Sequence, residues 1–180
     1  VTEAIKSFFL LGVSTRQAGA ALASLLDDAV RAATVSNVCK MLDGAVELYH
    51  QRKLANHYEY LLLDGVSVRL RLVDAVQRRM VLCAYGITAE GKRELIDFMI
   101  VHAEGEDTWK TFLLDLYRRG LTGEQLHLVV TDGQKGAAKA IAYVWPRAAH
   151  QRCWVHKLRN VSDRLKRSQE SCMHEARAIY

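Results

Sequence analysis

From Tyr58 onward the apolar residues change their spacing, and the order of strand-like and helix-like runs that follows admits few folds. "YEYLLLD", "VSVRLRLV" and "RMVLCAYGIT" are three β-rich runs, separated by Asp64-Gly65 and by a Val-Gln-Arg-Arg connection. In the second run apolar and polar residues alternate, as in a strand with one face buried. "EDTWKTFLLDLYRRG" is then an amphipathic helix, with Trp109, Phe112, Leu113, Leu116 and Tyr117 on one side and Gly120 placed to end it. "LHLVV" reads as a buried strand, "QKGAAKAIAYVW" as a helix ended near Pro146, and "AAHQRCW" as a short last strand. The residues after it form a basic, helical run.

Three sequential strands with short turns form an antiparallel meander, and the later strands, each entered through a helix, run parallel to the first. This mixed α/β order resembles that of an RNase H-like domain. Residues 1 to about 50 contain no convincing strand. "TEAIKSFFLLG" reads as a short helix stopped by Gly12. "STRQAGAALASLL" reads as a second, with Ser14 and Gln17 in the positions of a capping box. "ATVSNVCKMLDGAVELYHQRK" carries Val35, Val38, Met41, Leu42 and Val46 at helical spacing. Three short helices with a tight break predict a helix-turn-helix. The expected organisation is a helical helix-turn-helix segment over residues 1–54, an RNase H-like core over 55–161, and the start of a helical insertion or C-terminal helix over 162–180. Because the chain opens on Val1 and stops at Tyr180 inside a helical pattern, it is expected to be a fragment, with the sheet domain incomplete at its C-terminus.

Composition narrows the classes further. With 50% hydrophobic and 25% charged residues, the chain suits a globular protein with a real core. The net charge of +5 is compatible with nucleic acid but is shared by many enzymes that never touch it. No apolar run reaches membrane-spanning length, so no integral membrane protein is expected. Cys39, Cys83, Cys153 and Cys172 are widely spaced with no signal peptide before them, a pattern of reduced intracellular thiols.

Two aspartates stand where strand-like runs end, Asp64 before Gly65 and Asp132 before Gly133. In the expected topology those two strands lie side by side and parallel, so the carboxylates meet at one edge of the sheet. Carboxylates at close range repel unless positive charge lies between them. A divalent cation such as Mg²⁺ supplies it, taking hard oxygen ligands together with waters and phosphate oxygens. Two such ions clamp the attacking and leaving oxygens of an in-line phosphoryl transfer. Gly65 and Gly133 would allow tight turns and close approach of a large substrate. Taken singly, Asp64-Gly65 reads equally well as a turn between strands, and Asp132 as a helix N-cap.

The run Gln151-Arg152-Cys153-Trp154-Val155-His156-Lys157, with Arg159-Asn160, resembles the Cys-x-x-His signature of Mutator-type transposases, which follows their second catalytic aspartate. "YLLLDGVSVRLR" resembles that family's first-aspartate segment and "VVTDGQKGAAKAI" its second. "GEDTWKTFLLDLYRRGL", preceded by Glu104, resembles its Glu-Gly-x-x-x-Trp helix with a change of order, and "LGVSTRQ" and "ATVSNV" resemble its helix-turn-helix. The match covers nearly the whole chain in family order. It implies an RNase H-like DNA transposase that uses an Asp, Asp, Glu triad on Mg²⁺ or Mn²⁺ in a two-metal site. Asp64 and Asp132 would be the first two metal-binding, catalytic carboxylates. The third, a glutamate, lies in the family beyond the Cys-x-x-His element. Of the acids left there, Asp163, Glu170 and Glu175, none stands in the family's context for it, and no other acid in the chain offers itself. The fragment is therefore expected to be inactive alone.

Cys153 and His156 are implied to be accessory to the active site. As zinc ligands they would need a second pair, and Cys172-x-His174 is poorly spaced for one, so zinc is not expected. For DNA, the resemblance implies contacts to terminal inverted repeats from the helical segment. Arg16, Lys40, Arg52 and Lys53 are candidates for phosphates, and Thr34, Ser36 and Asn37 for base edges. Arg31 stands where the family has a capping serine, and Asp27 and Asp28 add negative charge nearby. Lys157, Arg159, Arg164, Lys166 and Arg167 form either a solvated helix face or a second phosphate-binding patch. The implied partners are transposon ends, target DNA and further copies of the protein on paired ends, in a bacterial, nucleoid-associated cytoplasmic setting with no membrane. The alternative is a catalytically dead remnant that only binds DNA.

Overall fold

The computed structural model describes residues 32–71, 76–165 and 172–175. The chain divides into two compact units, Val1–Arg52 and Lys53–Tyr180. In the first, the described residues form one helix, α1 (Ala32–Gln51). Its C-terminal end is closed by Arg52, whose guanidinium donates to the Tyr49 carbonyl at 2.6 Å and lies 3.6 Å over the Tyr49 ring. The two helices expected before it, with Arg16 between them, lie outside the described residues.

The second unit runs β1 (Tyr58–Arg71), β2 (Val76–Thr88), β3 (Arg93–Val101), α2 (Glu106–Arg118), β4 (Leu128–Thr131), α3 (Lys135–Val144), β5 (Ala149–Arg152) and α4 (Trp154–Ser162). The five strands make one sheet in the order β3-β2-β1-β4-β5. The pairs β1–β2 and β2–β3 are antiparallel, while β1–β4 and β4–β5 are parallel. Leu61, Leu63, Leu82, Ala84, Ile96 and Val129 of the sheet are buried together with Trp109, Phe112, Leu113 and Leu116 of α2 and Ala137, Ala140 and Ile141 of α3. At about 25 cal/mol per Å² of apolar surface, this shared face is the main stabilising contact of the unit. The other face of the sheet stays open, with Tyr60, Leu62, Val66 and Tyr85 exposed.

The meander has the expected three strands but not the expected members. "YEYLLLD" and the described part of the second run, Val66–Arg71, belong to one continuous strand of 14 residues. Asp64 pairs with Cys83 and Gly65 with Leu82, so the ladder to β2 carries the backbone through a dipeptide that would turn in isolation. Val76-Gln77-Arg78-Arg79, expected as a connection, is instead the start of β2. The third strand is "RELIDFMIV", which the alternation rule missed because a register shift between Ala84 and Tyr85 leaves neighbouring Ile96 and Asp97 both buried.

The α2 helix ends as its sequence predicts. Gly120 (φ +123) and Leu121 donate back to the Tyr117 and Leu116 carbonyls at 3.1 and 3.0 Å, the paired bonds of a Schellman motif. Asp97, 2% exposed, is paired with Arg119 beyond that end, which ties β3 to α2. Cys83, Cys153 and Cys172 carry free thiols. Among the described residues, no helix is long and apolar enough to cross a membrane.

Candidate active site

The parallel pairing of β1 with β4 aligns Leu62 with Val130, and β4 ends one residue later at Thr131. Asp64 and Asp132 each lie two residues beyond that last aligned pair. Asp64 is therefore not at a strand end. It stands in mid-strand, at the point where its parallel neighbour stops.

Leu62 and Val66, two residues either side of Asp64, are 38% and 45% exposed, which places the Asp64 side chain on the open face of the sheet. His156, in the first turn of α4, brings Nε2 to 4.0 Å from Asp64 Oδ1. Its Nδ1 is buried and has no hydrogen-bond partner among the described residues.

The turn after β4 is built from short polar side chains. Asp132 Oδ1 accepts from the Gln134 N–H at 2.9 Å, and Thr131 Oγ1 accepts from the Gly133 N–H at 3.1 Å. The N-cap of α3 is Gln134, whose side chain accepts from the Ala137 N–H at 2.9 Å, so Asp132 is not the cap. Gly133 sits at φ +97, and a Cβ there would stand 2.0 Å from Arg152 Nε. Arg152, aligned with Thr131 across β4 and β5, thus lays its guanidinium against the turn that carries Asp132. His150, next but one on β5, shares a 2.9 Å hydrogen bond with Thr131 Oγ1, and desolvation lowers its pKa below the usual 6.5.

A third acid lies at the same end of the sheet. Glu104 follows β3 in the link to α2, and its Oε1 accepts from the Trp109 indole N–H at 2.8 Å. Its carboxyl covers Gly65, where a Cβ would stand 2.7 Å from Oε2. Gly65 serves this contact and no turn. Burial raises the Glu104 pKa above its ordinary 4.5, and the charges of Asp132 and Asp64 raise it further against the opposing Trp109 bond. Asp163 and Glu175 are exposed, and Glu170 lies outside the described residues.

Cys153 is the N-cap of α4, and its backbone N–H donates to the Thr131 carbonyl at 2.6 Å. Cys153 thereby fixes where α4 leaves the sheet, while His156 three residues on faces Asp64. Lys157 and Arg159 are exposed on α4, and the Lys157 ammonium lies 4.9 Å over the Trp154 ring. Arg152, Lys157, Asn160 and Arg164, with Val161 and Asp163, line a pocket of about 530 Å³. In the first unit Lys40 is exposed on α1. Thr34, Ser36 and Asn37 fall on the same helix, with side chains outside the described set.

The donors at this sheet end are hard carboxylate oxygens with one imidazole, the set that suits Mg²⁺ or Mn²⁺. Among the described residues, no group of three or more His, Cys, Asp or Glu is placed to hold a metal ion. Asp64 and Asp132 alone would leave an ion most of its positions for water and substrate oxygens.

The fold and this sheet edge define a mixed-sheet α/β protein with two aspartates just past the point where the β1–β4 ladder ends. Residues 1–180 match the family described as "Transposase, Mutator family", and the chain belongs to that family. It is 36% identical over 177 residues to the transposase for insertion sequence element ISRM5 of Rhizobium meliloti (strain 1021), covering 98% of this chain and 44% of the relative. To the transposase for IS905 of Lactococcus lactis subsp. lactis (strain IL1403) it is 32% identical, covering 96% of this chain and 44% of that protein. To the transposase for IS256 in transposon Tn4001 of Staphylococcus aureus it is 34% identical, covering 93% and 43%. The chain thus spans somewhat less than half the length of these relatives. A simian T-cell lymphotropic virus intasome in complex with PP2A regulatory subunit B56 gamma is similar at a TM-score of 0.35 and 11% identity, over 79% of this chain and 56% of that one. A likeness of that size carries no argument.

Proposed function

We propose that this chain is the N-terminal and central part of a DNA transposase with an RNase H-like core, in which Asp64 and Asp132 hold Mg²⁺ or Mn²⁺ for phosphoryl transfer at transposon ends. The observation that carries the reading is the β1–β4 register, whose last pair, Leu62 with Val130, leaves Asp64 and Asp132 each two residues beyond the ladder. Family membership supports it from an independent direction. A bound divalent cation supplies Lewis-acid stabilisation to phosphate oxygens and lowers the pKa of an attacking water or 3′-hydroxyl.

The chain's own residues position the reacting groups. The Gln134 N–H and the Gly133 turn orient Asp132, and the ladder to Cys83 holds Asp64. His156 stands beside Asp64, where its imidazole orients that carboxylate or the water next to it. Arg152, Lys157 and Arg164 surround a pocket next to the Asp132 turn and suit the DNA backbone, with Arg159 on the same helix. Lys40, Thr34, Ser36 and Asn37 on α1 belong to the segment that would read terminal inverted repeats. Both cutting and joining need two ends held together, so the working form would be at least a dimer on DNA, in the cytoplasm of its host.

The test is strand cleavage of DNA bearing the element's ends by the protein that contains this chain. Asp64→Asn and Asp132→Asn are each expected to lower cleavage by about a hundredfold or more while DNA binding persists. Cleavage at the parent rate in either variant overturns the reading. DNA binding without cation-dependent cleavage in the unsubstituted protein would leave the DNA-binding remnant in its place.

A further inference from the structure

We propose that the Trp154 indole is a stacking platform for an unpaired nucleobase of DNA beside the Asp132 turn, an inference that rests on reading the basic side of α4 as a DNA surface. The backbone N–H of Cys153, the residue before it, donates to the Thr131 carbonyl at 2.6 Å, so Trp154 is held close to the turn that carries Asp132. None of the α4 residues is buried, and Trp154 is 41% exposed. A helix brings residues three and seven apart onto one side, so Trp154 stands in line with Lys157 and Val161, which line the basic pocket together with Arg152 and Arg164. The Lys157 ammonium lies 4.9 Å over the Trp154 ring. An aromatic face and a cation thus stand together at the end of the sheet where a DNA strand would pass. That pairing holds single-stranded nucleic acid, because the ring stacks on a base while the cation neutralises a neighbouring phosphate. Duplex DNA keeps its bases inside the stack, so the site selects a strand end or a base turned out of the helix.

The bland alternative is that the indole packs against a further segment of a longer protein, since the chain spans less than half the length of its relatives. An aliphatic side chain of similar bulk serves packing as well. Stacking needs a flat π face, which every base can meet and no aliphatic side chain provides. The other two tryptophans are core residues: Trp109 and Trp145 are 1% and 3% exposed, and their indole N–H groups donate to Glu104 Oε1 and the Leu121 carbonyl. Trp154 alone of the three offers its ring to solvent.

Trp154→Leu and Trp154→Phe separate the two accounts, because both keep an apolar group and only Phe keeps an aromatic face. The measurement is binding of the whole chain to a labelled single-stranded oligonucleotide and to its duplex by fluorescence anisotropy, with tryptophan emission followed in the parent. Because Trp109 and Trp145 are covered, quenching by single-stranded DNA reports Trp154. The expected result is that single-stranded DNA quenches the parent, that Trp154→Leu binds it about tenfold more weakly, and that Trp154→Phe stays within about threefold of the parent. All three are expected to bind the duplex alike, since that binding runs through the phosphates. The platform is overturned if Trp154→Leu binds single strands as tightly as the parent, if Trp154→Phe loses as much as Trp154→Leu, or if duplex binding falls to the same extent. Duplex binding by the parent without quenching by single strands also overturns it, and the DNA surface then stands. Should the parent bind neither form, both readings fall together.

Discussion

Glu104 and His150 flank the Asp132 turn, and the fold moves their pKa values in directions that make stability depend on pH with opposite signs. Glu104 is raised above 4.5, chiefly by burial, so the folded state holds its proton more tightly than the unfolded chain does. The stability this confers is fully present below pH 4.5 and is lost as pH rises through the folded value. His150 is lowered below 6.5 by desolvation, so its contribution is present above pH 6.5 and is lost as pH falls through the folded value. Melting temperatures from pH 4 to 8 in metal-free buffer check both, taking the range from the ordinary carboxyl and imidazole values. Glu104→Gln is expected to remove the decline on the alkaline side of the carboxyl titration. His150→Gln is expected to flatten the decline on the acid side of neutrality. Neither shift was legible from residue type. Glu104 read as one acid in the acidic lead-in to a helix, and only the contact with Gly65 and Trp109 shows that its carboxyl turns back over β1.

Among the elements, β1 and β3 are where local signals and the fold part company. Asp64-Gly65 has the composition of a turn, yet thirteen aligned partners on β2 hold the strand straight through it. A ladder of backbone hydrogen bonds outweighs a turn preference worth a fraction of a kcal/mol per residue. In β3 the polar residues Arg93, Glu94 and Asp97 hid the strand, and their partners explain why it forms. Asp97 pairs with Arg119, which also bonds Asp115 at 2.8 Å, and Glu94 accepts from the Tyr58 hydroxyl at 2.8 Å. Removing one partner of a buried pair leaves the other uncompensated, so Asp97→Ala is expected to cost about 3–5 kcal/mol in chemical denaturation. Loss of under about 1 kcal/mol would place that pair with ordinary surface ion pairs. Among the described residues the helices behaved as their sequences predict, because period, cap and stop are all encoded within a few residues of one another.

At the level of the molecule, the proposed function depends on how DNA would meet the edge where the strands end. Arg152 and Arg164, with Lys157, border one pocket beside the Asp132 turn. If they hold the DNA backbone, replacing each by Ala should lower the slope of log affinity against log salt by about 1 and weaken binding to all sequences alike. A slope unchanged in all three variants would assign the patch to solvent.

The amino-acid order alone carried α1 to α3, the strands β4 and β5 and the family, and it singled out Asp64, Asp132, Cys153 and His156 as the residues to watch. These rest on periodicity, on caps and on short motifs, whose signals lie within one or two turns of chain. Glu104 and Arg152 are different. One stands 40 positions after Asp64 and the other 20 after Asp132, and their places follow from strand pairing and helix packing. Register over a sheet sums many weak backbone and side-chain contacts between segments far apart in sequence. No local pattern contains that sum, so which charges share the end of the sheet emerges only when the strands have paired.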